Sequence, residues 1–118
     1  MPNDQLFLLP AGFADPAHGP GTYHCTDCAR ITGLLSYFPD LRTQLTVDYV
    51  DFPRPRPPLV ELLGEPYQNC PTLVVHSATS AHAHLLQVSP ITGRSYCTGA
   101  DDISAYLQAA YSVSAAHT

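Results

Sequence analysis

Apolar positions along the chain fall into short blocks separated by proline and glycine, and each block has its own period. Leu6-Phe7-Leu8-Leu9 is a continuous apolar run stopped by Pro10, the pattern of a short strand buried on both faces. Residues 10–24 hold Pro10, Gly12, Pro16, Gly19, Pro20 and Gly21, which predicts a loop. Over residues 25–38, Cys28, Ile31, Leu34, Leu35 and Phe38 recur at spacings of three and four. That is a helix, and Pro39 ends it. Residues 45–52 alternate apolar and polar side chains, as a strand with one buried face does.

The second half is read in the same way. Pro53-Arg54-Pro55-Arg56-Pro57-Pro58 predicts a polyproline II run, and Pro58 suits the first turn of a short helix over 59–63 closed by Gly64. Residues 72–75 form a strand after Cys70-Pro71, and 76–83 form a polar loop. A short strand or ordered loop covers 85–88, Gly93-Arg94 turns the chain, and a last strand covers 95–97. Asp101 or Asp102 caps a final helix reaching Tyr111, with Ile103, Tyr106, Leu107 and Ala110 on one face. Residues 112–118 are expected to fray. The order predicts an α/β protein: a three-layer α/β/α sandwich with a mixed sheet of about four strands and about three helices. At 118 residues it is one domain with its core at about 6–111, and no repeat or second domain is visible.

Composition narrows the function classes. The formal charge is −5 and all five cations are arginine, too few and too scattered for a nucleic-acid surface. Only 13% of residues are charged, which leaves room for a self-association patch and makes a homodimer a candidate assembly. Met1-Pro2-Asn3-Asp4-Gln5 carries an acid where a signal peptide needs basic charge, and the run 6–9 is too short to span a membrane. The expectation is a cytoplasmic protein with no membrane partner. In that compartment its four cysteines point to redox, catalysis or metal rather than to structural cross-links.

Cys25-Thr26-Asp27-Cys28 opens the first predicted helix. The leading sulfur of such a pair meets unpaired backbone N–H groups and the positive end of the helix dipole, which favour the thiolate that attacks disulfides. Cys28, one turn further in, is placed to resolve a mixed disulfide. The plainer readings are two ordinary buried thiols or half of a zinc site. Asp27 opposes thiolate formation, while His24 beside Cys25 favours it.

Three features in order carry a resemblance to the thioredoxin and glutaredoxin superfamily: Cys25-x-x-Cys28 after a strand, Cys70-Pro71 just before a strand, and the terminal strand-turn-helix of 93–107. More narrowly, Pro10-Ala11-Gly12-Phe13-Ala14-Asp15-Pro16, the stretch 23–29, Phe52-Pro53-Arg54-Pro55-Arg56 and Leu63-Gly64-Glu65 resemble a bacterial family of thioredoxin-like domains with no assigned function. The resemblance implies a thioredoxin-like fold and a thiol–disulfide oxidoreductase acting on protein or low-molecular-weight thiols and disulfides, with glutathione as a candidate co-substrate. It also implies that Pro71 is cis and lies against the C-x-x-C, where the backbone beside it pairs with substrate. Asp101 and Asp102 resemble the acidic pair that opens the last helix of glutaredoxins, where backbone N–H groups hold a glutathione carboxylate; helix capping is the plainer account.

The remaining candidates surround this site. Cys70 brings a third sulfur, and Cys97 a fourth if its strand runs antiparallel to 72–75; Cys25, Cys28, Cys70 and Cys97 would then suffice for zinc or an iron–sulfur centre. Arg54 and Arg56, in their proline frame, either reach an anionic ligand near the cysteines or pair with Asp51, Glu61 or Glu65 as a solvated linker. Tyr23 and His24 flank the nucleophile and either shape its pocket or pack the loop. Three functions remain open: a thiol–disulfide oxidoreductase, a metal-binding protein, and a non-catalytic binding module.

Overall fold

Leu6, Phe7 and Leu8 are all sealed in the core, as a continuous apolar run requires. They belong to β1 (Gln5–Leu8), an interior strand of a five-stranded mixed sheet in the computed structural model, which describes residues 2–117. The sheet order is β2-β1-β3-β5-β4, with β2 (Thr46–Tyr49), β3 (Thr72–Val75), β4 (Gln87–Val88) and β5 (Ser95–Thr98). β1 and β2 are parallel, with Leu8 opposite Tyr49, while β3 is antiparallel to both β1 and β5. Successive strand residues face opposite sides, and every residue of β3 is buried, so both faces of the sheet are covered.

Four helices do the covering. α1 (Thr26–Tyr37) buries Cys28, Ile31 and Leu35, and α4 (Ala100–Ala110) buries Ala100, Ile103, Tyr106 and Leu107. The two pack against each other. Each fully buried Leu or Ile contributes about 1.5–3 kcal/mol, so these faces, rather than helix propensity, hold the helices in place. α2 (Leu41–Gln44) is a single turn anchored by Leu41, and α3 (Pro57–Leu63) starts on proline and ends at Gly64. Gly64 sits at φ 105°, a backbone conformation that favours glycine, and a Cβ there would lie 2.5 Å from the end of the Ile91 side chain, which would have to move. The buried side chains form one core.

The fold departs from the sequence pattern at five points. Among the described residues there are five strands and four helices: α2 carries one apolar anchor, too little for a period, and two-residue β4 pairs with β5 at the sheet edge. β2 spans four residues rather than eight, because its partner β1 ends at Leu8. Residues 53–58 do not continue as polyproline II: the chain bends over 52–54, Arg54–Pro55 is cis, and α3 begins at Pro57. Residue 113 is no frayed tail, since Val113 is buried and its N–H donates to the Leu107 carbonyl. Finally, Asp101 and Asp102 do not cap α4. Its cap position is Gly99, at φ 86° with no side-chain hydrogen bond of its own.

Candidate functional site

Cys25 is the N-cap residue of α1, and its extended backbone turns the side chain across the helix end. There Sγ accepts the N–H of Cys28 at 3.1 Å, filling one of the bonds a helix start leaves open. The same thiol donates toward the Cys70 carbonyl at 3.7 Å, so the loop before β3 closes over the cysteine from the side opposite α1. Cys25 is half-buried and opens onto a cleft of about 360 Å³ lined by Leu9, Ala11, His24, Cys28, Thr32 and Tyr49.

Cys28 lies beneath it, 3% exposed, with Sγ accepting the Leu9 N–H at 3.5 Å. Burial, and then the hydrogen bond with Cys25, push its thiol up to about 12. Cys70 is 7% exposed, and its peptide bond to the buried Pro71 is cis. Burial pushes the Cys70 thiol up to about 11, although the guanidinium of Arg56 acts on it in the other direction. At neutral pH both are therefore protonated. The four cysteines are free thiols.

Cys97 does not join the other three. β5 is antiparallel to β3, with Cys97 opposite Leu73, but the charges acting on its sulfur are the Asp102 and Asp4 carboxylates. Burial pushes it up to about 12. It is Thr98, the next residue, that is turned toward the cis-proline loop, hydrogen-bonding Asn69, Thr72 and the Pro71 carbonyl. Alternation along the strand separates the two side chains. Among the described residues no three His, Cys, Asp or Glu side chains gather as a metal-binding group.

The acid between the cysteines points away from them. Asp27 Oδ2 accepts the Ala100 N–H at 3.0 Å, so the start of α4 is capped by a residue of α1. Asp101 on that same first turn is exposed and pairs with Arg30 of α1 at 2.9 Å. A solvated pair of this kind contributes at most about 1 kcal/mol.

The two proline-framed arginines part company. Arg56 is only 5% exposed. Its Nε and Nη2 donate to the Phe52 carbonyl at 3.1 and 2.6 Å, and Nη1 donates to the Gln68 carbonyl at 2.7 Å. Its backbone N–H donates to Gln68 Oε1, and the guanidinium stands 5.6 Å from the Phe52 ring centre. Neither Arg56 nor Arg54 forms an ion pair with Asp51, Glu61 or Glu65. Arg54 is exposed and lines a neighbouring cleft of about 410 Å³ that shares Tyr49 with the cysteine cleft. His24 does line the cysteine cleft. Tyr23 does not: its hydroxyl donates to the His18 and Pro20 carbonyls, and its backbone pairs with Phe13, so it shapes the preceding loop.

A family model described as a protein of unknown function, DUF3088, matches residues 3–115. The chain belongs to this family. Comparison with curated proteins and with solved structures yields no match. No helix among the described residues of this DUF3088 chain is long and apolar enough to cross a membrane. Two participants escaped the sequence reading. Tyr49, 51% exposed at the end of β2, forms a wall of both clefts, and the sequence signal for it was an outward aromatic on an edge strand. Gln68, buried and bonded to Arg56, carried no signal at all.

Proposed function

We propose that the domain is a thioredoxin-like thiol–disulfide exchange protein, with Cys25 as the attacking thiol and Cys28 as the resolving one. The observation that carries this reading is the position of Cys25 Sγ: on the first turn of α1, open to a cleft, above a buried Cys28 and against the Cys70 carbonyl. The order of elements, strand, C-x-x-C helix, parallel strand, antiparallel pair and final helix, supports the thioredoxin-like assignment.

In the first step the Cys25 thiolate attacks one sulfur of a substrate disulfide, and the other sulfur leaves as a thiolate. Cys28 then attacks Cys25 Sγ and the second substrate sulfur leaves, taking up the proton that Cys28 gives away. The substrate gains two electrons and two protons, and the protein retains a Cys25–Cys28 disulfide. The cleft, open and walled by Leu9, Ala11 and Tyr49, suits a low-molecular-weight disulfide or a peptide segment. Partner and glutathione dependence are tested together. Reduced protein is mixed with oxidised glutathione, quenched with acid and mapped by mass spectrometry. Uptake at Cys25 followed by one intramolecular disulfide is expected, with none after Cys25→Ser. Uptake first at any other cysteine, or no exchange, refutes the reading.

A further inference from the structure

Cys25 is approached from two sides. Cys28 reaches it from within α1, and the loop carrying Cys70 reaches it from across the cleft, with the Cys70 carbonyl 3.7 Å from Cys25 Sγ. The Cys70 side chain is buried. A third cysteine thus flanks the site through its backbone, where exchange needs only two.

The environment of Cys70 is unlike that of Cys28. Arg56 is buried with no carboxylate partner among the described residues, and three of its five N–H groups serve the Phe52 and Gln68 carbonyls. The positive charge of the guanidinium acts on the Cys70 thiol and favours its ionised form. A buried cation without a counter-charge is costly, and a thiolate forming at Cys70 supplies one. Among the described residues, Cys28 has the Leu9 N–H to support a developing negative charge and no cation that does so.

We propose that Cys70 is a second resolving thiol, able to close a disulfide on Cys25 in place of Cys28. This rests on Cys25 being the attacking thiol. Starting from a mixed disulfide on Cys25, the Cys70 sulfur attacks Cys25 Sγ, the Cys25–substrate sulfur bond breaks, and the substrate leaves as a thiolate that takes the Cys70 proton. In this step Cys70 is oxidised, Cys25 stays in a disulfide, and the substrate sulfur is reduced to a thiol. Closure needs rotation of the two side chains until the sulfurs meet, with the Cα atoms about 4.4–6.8 Å apart.

Oxidised glutathione is the probe. Cys28→Ser protein, reduced and then exposed to it, is expected to give a mapped Cys25–Cys70 disulfide and to retain little glutathione. The Cys28→Ser/Cys70→Ser protein is expected to hold glutathione on Cys25 at least about tenfold longer. Cys28→Ser protein that keeps glutathione on Cys25 while Cys70 remains alkylatable overturns the inference and leaves the exchange reading intact. No glutathione on Cys25 in any variant overturns both. Wild-type protein sampled through the reaction gives a second readout independent of the variants' folding. A Cys25–Cys70 species is expected beside Cys25–Cys28, and its absence at every time point also overturns the inference.

Discussion

Asp27 and Ala100 are joined by a 3.0 Å hydrogen bond between the spacer carboxylate of the C-x-x-C and the first backbone N–H of α4. The bond gives the acid a structural task on a helix it does not belong to. It faces the positive end of α4, where a negative charge is favourable, and so ties the helix that presents Cys25 to the helix that follows β5. The motif's chemistry and the fold's closure meet in one residue.

Asp27→Ala should therefore lower stability by about 1 kcal/mol, the usual size of a lost helix cap. Asp27→Asn, which keeps an acceptor oxygen, should lose less than Asp27→Ala. Urea unfolding of the two variants checks this, and an unchanged midpoint in Asp27→Ala would show that the bond contributes nothing.

Alkylation at neutral pH should modify Cys25 first and leave Cys28, Cys70 and Cys97 almost untouched, because burial pushes those thiols up to about 12, 11 and 12. In denaturant all four should react alike. Timed iodoacetamide labelling followed by peptide mapping measures it. Comparable native rates for Cys97 and Cys25 would contradict the assigned burial.

The same three thiols fix an alkaline limit. Their folded values lie above the ordinary thiol value of 9.0, so the unfolded chain gives up these protons first as pH rises. Between about pH 9 and 12 the native state binds more protons than the unfolded one, and stability must fall with rising pH. Chemical denaturation at pH 8 and pH 10 should show the loss, and substituting Ala at Cys97 should make it shallower. A flat profile would be evidence against three raised thiols.

Arg56→Ala should cost at least about 2 kcal/mol, because it strips the donors from the Phe52 and Gln68 carbonyls. Arg56→Lys should not rescue it, since one ammonium cannot replace the planar fork between the two carbonyls. Arg54→Ala, at an exposed side chain, should change stability by no more than about 0.5 kcal/mol. Equal effects at 54 and 56 would mean that the clamp is not formed.

Asp4→Ala should be severe as well. The Asp4 carboxylate is buried and accepts from the His76 N–H at 2.7 Å, the Ser77 N–H and hydroxyl, and the Tyr111 hydroxyl at 2.6 Å. It latches the start of β1 to the end of β3 and the end of α4. A loss of about 3 kcal/mol is expected for Asp4→Ala and about 1.5 kcal/mol for Tyr111→Phe, since bonds to a charged acceptor are the stronger kind. Thermal or urea unfolding of both variants and their double variant gives the coupling, and additive losses would rule out the latch.

How much of this was readable beforehand follows from range. The apolar run at 6–9, the three-and-four spacing over 25–38 and the buried stretch 72–75 each encode their own burial, so β1, α1 and β3 could be placed from local pattern alone. The C-x-x-C fell at a helix start because Pro39 and that spacing bounded the helix on one side and the glycine-rich loop bounded it on the other. Periodicity says that a side chain is inside; it does not say what it meets there. The direction of Asp27, 73 positions from its partner, was settled by where α4 lands beside α1. Arg56 sits in a segment that composition marks as solvated linker, yet the bend at 52–54 folds it inward onto carbonyls only the tertiary structure supplies. Cys97 follows the expected strand but is turned from the other sulfurs by one step of alternation in β5, a choice of face set by sheet register. Local sequence determined which elements form and which thiol stands at a helix end; the packing of those elements decided which polar groups meet, because hydrogen bonds and charges depend on distances that no run of neighbouring residues contains.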